Sequence, residues 1–229
     1  MSIEPLYSYS VNCNDNKLYI DNIIYETYMF DECFQMVMRK YNKIVLNKYI
    51  DFIYTNLHSN ITELDLTITN NDNVNLNILP SNLKKLEILV SDSGGNSIFK
   101  IPLDNLPLTL ETLIIHTSKL EVSLDYLPMS LKILSIRINN HKAFLDNYGL
   151  NNLPQSLTQL YIYTNYAPVD RLTVEYLIEK ILNLPENIEK FHISCHIFDF
   201  NPYYNLIYEK FRNFFKSKYV KFCAGIFKS

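Results

Sequence analysis

Asn152-Leu153-Pro154-Gln155-Ser156-Leu157-Thr158-Gln159-Leu160-Tyr161-Ile162-Tyr163 is a word that this chain repeats. Leu106-Pro107-Leu108-Thr109-Leu110-Glu111-Thr112-Leu113-Ile114-Ile115 has the same skeleton, and so has Leu127-Pro128-Met129-Ser130-Leu131-Lys132-Ile133-Leu134-Ser135-Ile136. Internal repetition decides a fold ahead of local propensity. A short unit cannot bury its apolar side alone, and stacking on its neighbours supplies the missing core.

Six units align on L-x-x-L-x-[LI]: Ile61/Leu64/Leu66, Leu83/Leu86/Ile88, Leu110/Leu113/Ile115, Leu131/Leu134/Ile136, Leu157/Leu160/Ile162 and Ile188/Phe191/Ile193. Leu-Pro opens the last five, at Pro80, Pro107, Pro128, Pro154 and Pro185, so successive prolines lie 27, 21, 26 and 31 residues apart. The opening and the strand keep their spacing, and the variation falls in the connecting segment. Alternation in the second half of each unit predicts a strand. A proline just ahead of it costs no ladder bond and stiffens the entry turn.

The flanks read as caps of one body. Residues 7–11 and 17–20 alternate like strands, and 44–46 is a β-branched strand run. Residues 23–42 and 48–57 carry apolar positions at helical spacing. Residues 97–106 and 143–150 are short returns, whereas 172–184 is periodic enough for a helix, with Thr173 as its N-cap. At the far end, 203–215 predicts an aromatic amphipathic helix and 219–223 a strand. The division is therefore an N-terminal cap over 1–57, a repeat array over 58–196 and a C-terminal cap over 197–229.

Composition narrows the function classes. The 229 residues are 48% hydrophobic and carry a net charge of −3, with 18 Tyr, 13 Phe and 4 Gly. An acidic balance argues against a nucleic-acid partner, which needs cations to displace counterions. Cys13, Cys33, Cys195 and Cys223 are dispersed and form no C-x-x-C pair, so a reducing, cytoplasmic setting is expected. No basic and apolar leader opens the chain, and no apolar run is long enough to span a membrane.

These units resemble leucine-rich repeats. Their Leu-Pro-x-[Ser/Thr/Asn]-Leu opening is similar to the FNIP-type variant found in amoebae and in the large viruses that infect them. The resemblance covers about residues 56–196. It implies an α/β solenoid with a curved parallel sheet on the concave face and helices or irregular returns on the convex face. It also implies a polar residue eight positions after the first leucine, bonding the backbone of the next turn. Those positions hold Thr69, Ser91, Ser118, Asn139, Asn165 and His196.

In such a sheet the pattern leucines point inward and the residues between them point outward. Three outward columns result: Glu63, Lys85, Thr112, Ile133, Gln159, Lys190; then Asp65, Glu87, Ile114, Ser135, Tyr161, His192; then Thr67, Leu89, His116, Arg137, Tyr163, Ser194. His116, Arg137, Gln159, Tyr161, Tyr163, Lys190 and His192 gather toward one end. Tyr and Arg are favoured at binding hot spots. Tyr is also abundant in this chain and suits any strand surface.

Other groupings have plainer readings. His192, Cys195 and His196 lack zinc-site spacing, and His192 and Cys195 point to opposite strand faces, so no metal is expected. The glycines near residues 91–96 are followed by no Lys-Ser/Thr and suit a surface loop. Lys210, Arg212, Lys216, Lys218, Lys221 and Lys228, interleaved with Tyr and Phe, could dock on an acidic partner, RNA or an anionic membrane, but better suit a cap whose helix aromatics are buried and whose lysines are solvated. No G-x-S-x-G, H-E-x-x-H or phosphate-loop motif occurs, so neither a catalytic residue nor a cofactor is expected. The expectation is a non-enzymatic module that binds another protein through its concave sheet. A structural or virion-associated component of a large DNA virus is the first alternative, which would place it in host cytoplasm or virion. A ubiquitin-ligase substrate adaptor recruiting through 23–57 is the second, although the Leu-Pro opening of an F-box does not occur there.

Overall fold

The computed structural model describes residues 11–12, 17–20, 39, 42–46, 57, 59–91, 95–140, 150, 152–166, 184–194 and 219–222. Ten of its strands form one sheet: β1 (Val11–Asn12), β2 (Lys17–Ile20), β3 (Lys43–Leu46), β4 (Glu63–Ile68), β5 (Lys85–Val90), β7 (Thr112–His116), β9 (Ile133–Asn140), β10 (Gln159–Tyr166), β11 (Lys190–Ser194) and β12 (Tyr219–Phe222). They lie in that order across the sheet. Only β1 runs antiparallel to its neighbour. A second parallel pair, β6 (Ile98–Phe99) and β8 (Lys119–Leu120), lies on the return path. The chain is thus a parallel-strand β-solenoid.

The leucine pattern builds the interior as three stacked rows. Leu64, Leu86, Leu113, Leu134, Leu160 and Phe191 form one row and are all but fully buried. Leu66, Ile88, Ile115, Ile136 and Ile162 form the second. Ile61, Leu83, Leu110, Leu131, Leu157 and Ile188 form the third, beneath the turn that leads into each strand. Ile44 and Leu46 extend the first two rows into β3. Burying one such side chain is worth about 1.5–3 kcal/mol, so the rows hold the turns together. Phe99 on the returning pair adds a fully buried ring.

The Leu-Pro opening folds as a tight turn. The proline carbonyl accepts the N–H of the residue three on: Pro80 from Leu83, Pro107 from Leu110, Pro128 from Leu131 and Pro154 from Leu157, each at 3.0 Å, and Pro185 from Ile188 at 3.2 Å. One carbonyl of the preceding turn then receives two successive N–H groups. Thr62 O takes those of Lys84 and Lys85, at 2.8 and 2.9 Å. Lys84, Glu111, Lys132 and Thr158 do the same for the turns that follow. Each corner is fastened to the one before it, which locks the register.

An inter-turn polar ladder runs at a position that the resemblance did not point to. It is carried by the residue just before each first leucine. Asn60 donates to Arg39 O at 2.9 Å, Asn82 to Ser59 O at 3.0 Å, and Thr109 to Leu83 O at 2.9 Å. Ser130 donates to Leu110 O at 2.7 Å, Ser156 to Leu131 O at 2.7 Å, and Asn187 to Gln155 O at 2.8 Å. A short donor at this corner meets a carbonyl that the turn leaves unpaired. At the eighth position, Ser118 does reach the preceding turn, donating to Gly95 O at 2.7 Å. The Asn165 side chain and His196 lie outside the described residues.

The α/β expectation is not what the described residues show. Their returns carry no α-helix, and their one helical turn is a 3-10 turn at Leu76–Ile78, capped by Asn75. The strands and corners already bury the leucines, so a short extended return suffices. The helices expected over 23–42, 48–57, 172–184 and 203–215 lie outside the described residues, apart from isolated positions. The sheet itself runs past both limits drawn for the repeat array, through β2 and β3 on one side and β12 on the other.

Candidate binding face

The outward columns are in register as the pattern requires. Glu63, Lys85, Thr112, Ile133, Gln159 and Lys190 face one another in sequence across the strands. Asp65 to His192 and Thr67 to Ser194 follow the same register. On β12, Tyr219 pairs in register with Lys190 and Lys221 with His192. The strand expected over 219–223 is thus present and joins the sheet beside β11, although no Leu-Pro opening marks it.

The face divides into two halves of different chemistry. On β3 to β5 it is a charged network. Lys43 Nζ lies 2.9 Å from Asp65 Oδ2 and 3.4 Å from Glu63 Oε2, and Lys85 lies 3.4 Å from Glu87. Burial disfavours the Lys43 charge, but Asp65 and Glu63 together outweigh it and hold its pKa above the ordinary lysine value. Asp65 Oδ1 is buried without a hydrogen-bond partner among the described residues.

His116 on β7 marks the boundary. Its Nε2 lies 3.6 Å from Glu87 Oε1. That is too long for a hydrogen bond. Burial, aided by Arg137, lowers the His116 pKa against the opposing pull of Glu87. The ring is therefore neutral at pH 7, and its contact with Glu87 is not an ion pair there.

Beyond β7 the face is aromatic and cationic. The Tyr161 and Tyr163 rings are 6.4 Å apart and parallel to within 2°. The His192 ring lies 5.1 Å from Tyr163 and 6.2 Å from Tyr161. Arg137 Cζ lies 5.7 Å from the centre of the Tyr163 ring, within cation–π range. β9 and β11 flank β10 on opposite sides, so Tyr163 is held between a guanidinium and an imidazole. The Tyr161 hydroxyl donates to Gln159 Oε1 at 2.8 Å, which orients that amide. Five of the seven residues singled out from the sequence thus form one cluster. His116 belongs to the charged half, and Lys190 stands exposed beside Gln159 in the register.

Cys195 and His196 lie outside the described residues, and among those described no group of three His, Cys, Asp or Glu is placed to hold a metal ion. Gly95 has φ +71 in the left-handed region that glycine tolerates, with open space where a Cβ would stand. No described helix is long and apolar enough to cross a membrane. No protein-family model, curated protein or solved structure matches the chain.

Proposed function

We propose that this chain is a non-catalytic binding module that takes a partner protein on the outer face of its long sheet, at Arg137, Gln159, Tyr161, Tyr163 and His192. The cluster around Tyr163 carries this reading. Three rings and a guanidinium are braced against one another on rigid strands, half-exposed, so little side-chain freedom is lost on contact. Preorganised aromatic and Arg groups of this kind anchor interfaces. The recurring Leu-Pro corner turns support reading the units as FNIP-type leucine-rich repeats. The experiment is affinity capture with Tyr161→Ala/Tyr163→Ala beside the natural chain. Loss of the captured partner with unchanged melting supports the face, and an unchanged partner set refutes it.

A second reading has its own observation. Leu108 and Met129 occupy the same corner position in successive turns and are 83% and 67% exposed, with Tyr126 close by in sequence at 71%. An apolar corner of that kind suits packing inside an assembly, as in a structural or virion component. Light scattering after size exclusion decides between them, since a strict monomer at high concentration removes the assembly reading.

A further inference from the structure

The two halves of the sheet face differ in how their charges are answered. In the first half every outward carboxylate has a cation or imidazole beside it: Glu63 and Asp65 have Lys43, and Glu87 has Lys85 and His116. In the second half, from β7 to β11, the outward register of the described residues holds the cations Arg137 and Lys190 and no carboxylate. The Arg137 cation faces an aromatic ring instead of an anion. A cationic surface without an acid of its own is electrostatically complementary to an acidic ligand, and such charges both steer encounter and fix register.

We infer that the ligand of this face is an acidic peptide segment, laid in extended form across β9 to β11. This rests on the sheet-face reading above and names the partner's chemistry. Its carboxylates meet Arg137 and Lys190, while Tyr163 and His192 supply polar and aromatic contacts between them. Arg137 is already aimed by the Tyr163 ring, so its fork is held for a carboxylate at little entropic cost.

A single-stranded nucleic acid is the competing polyanion, and two observations disfavour it. Base stacking needs open aromatic faces, whereas the Tyr163 ring is held between Arg137 and His192. A long polyanion would also run onto Glu63, Asp65 and Glu87 on the same sheet, in a chain of net charge −3. A short acidic peptide avoids both.

The test is fluorescence anisotropy on the full chain with three labelled probes: a ten-residue glutamate peptide, a ten-residue lysine peptide and decauridylate. The glutamate peptide is expected to bind, with affinity falling as salt rises. Arg137→Gln/Lys190→Gln should weaken it about tenfold, the loss of two partly exposed charge contacts. Lys85→Gln, in the already paired half, should leave it unchanged, and circular dichroism melting checks that each variant folds. Absence of glutamate-peptide binding, binding insensitive to the double substitution, or tighter binding of decauridylate overturns the inference. Partner capture lost with Tyr161→Ala/Tyr163→Ala but kept with Arg137→Gln/Lys190→Gln retains the face and rejects its acidic ligand.

Discussion

The Arg137 guanidinium carbon stands 5.7 Å from the centre of the Tyr163 ring, across the β9–β10 pair. Both residues face outward, so their contact contributes little to folding. An exposed cation–π pair is worth about 0.5–1 kcal/mol. Arg137→Gln should therefore lower stability by no more than about 1 kcal/mol in urea denaturation. A larger loss would mean that this side of the sheet belongs to the core.

The inner rows should behave in the opposite way. Leu134 is fully buried in the first row, between Leu113 and Leu160. Leu134→Ala is expected to cost about 2–5 kcal/mol, as lost burial and a residual cavity. Denaturation curves of the two variants side by side separate face from core.

The corner ladder is a distinct source of stability. Ser156 donates to Leu131 O at 2.7 Å from a half-buried position. Ser156→Ala removes the donor and leaves the carbonyl short of a partner, at a cost of about 1 kcal/mol. Ser156→Thr should recover most of it, since Thr109 fills the same role two turns earlier. Equal stability of all three chains would remove the ladder's energetic role.

Lys43 answers two carboxylates at once, and its side chain is only 12% exposed. Lys43→Met leaves Asp65 and Glu63 without that cation, with a cost of about 1–3 kcal/mol. Adding Asp65→Asn to Lys43→Met should restore part of the loss. A double variant no more stable than Lys43→Met would show that the pair is not coupled.

His116 gives the pH dependence a sign. Burial lowers its pKa below the usual 6.5, opposed by Glu87 and reinforced by Arg137. The unfolded chain then binds the proton more readily than the folded one. The His116 contribution to stability is thus intact above pH 6.5 and is lost as pH falls below it. His116→Gln is expected to narrow the difference in melting temperature between pH 7.5 and pH 5. An unchanged difference assigns the acid sensitivity to other groups.

The order of Leu, Pro and Ser/Thr/Asn by itself determined which residues point in and which point out. Side chains alternate along a strand, so the leucine spacing fixes parity. The repeated corner fixes register between turns, which made Gln159, Tyr161 and Tyr163 legible as outward residues before any coordinate. The same regularity placed Lys190 and His192 on the next strand. It did not disclose that the polar rung sits just before the first leucine, because that depends on which carbonyl the corner leaves open. Nor did it show whether the returns are helical, since several packings of a return can cover the same leucine rows. Only the tertiary structure decided that Tyr163 is held between Arg137 and His192 while His116 turns toward Glu87. Those pairings depend on rotamers chosen between strands 26 to 31 residues apart in sequence, where no local pattern reaches.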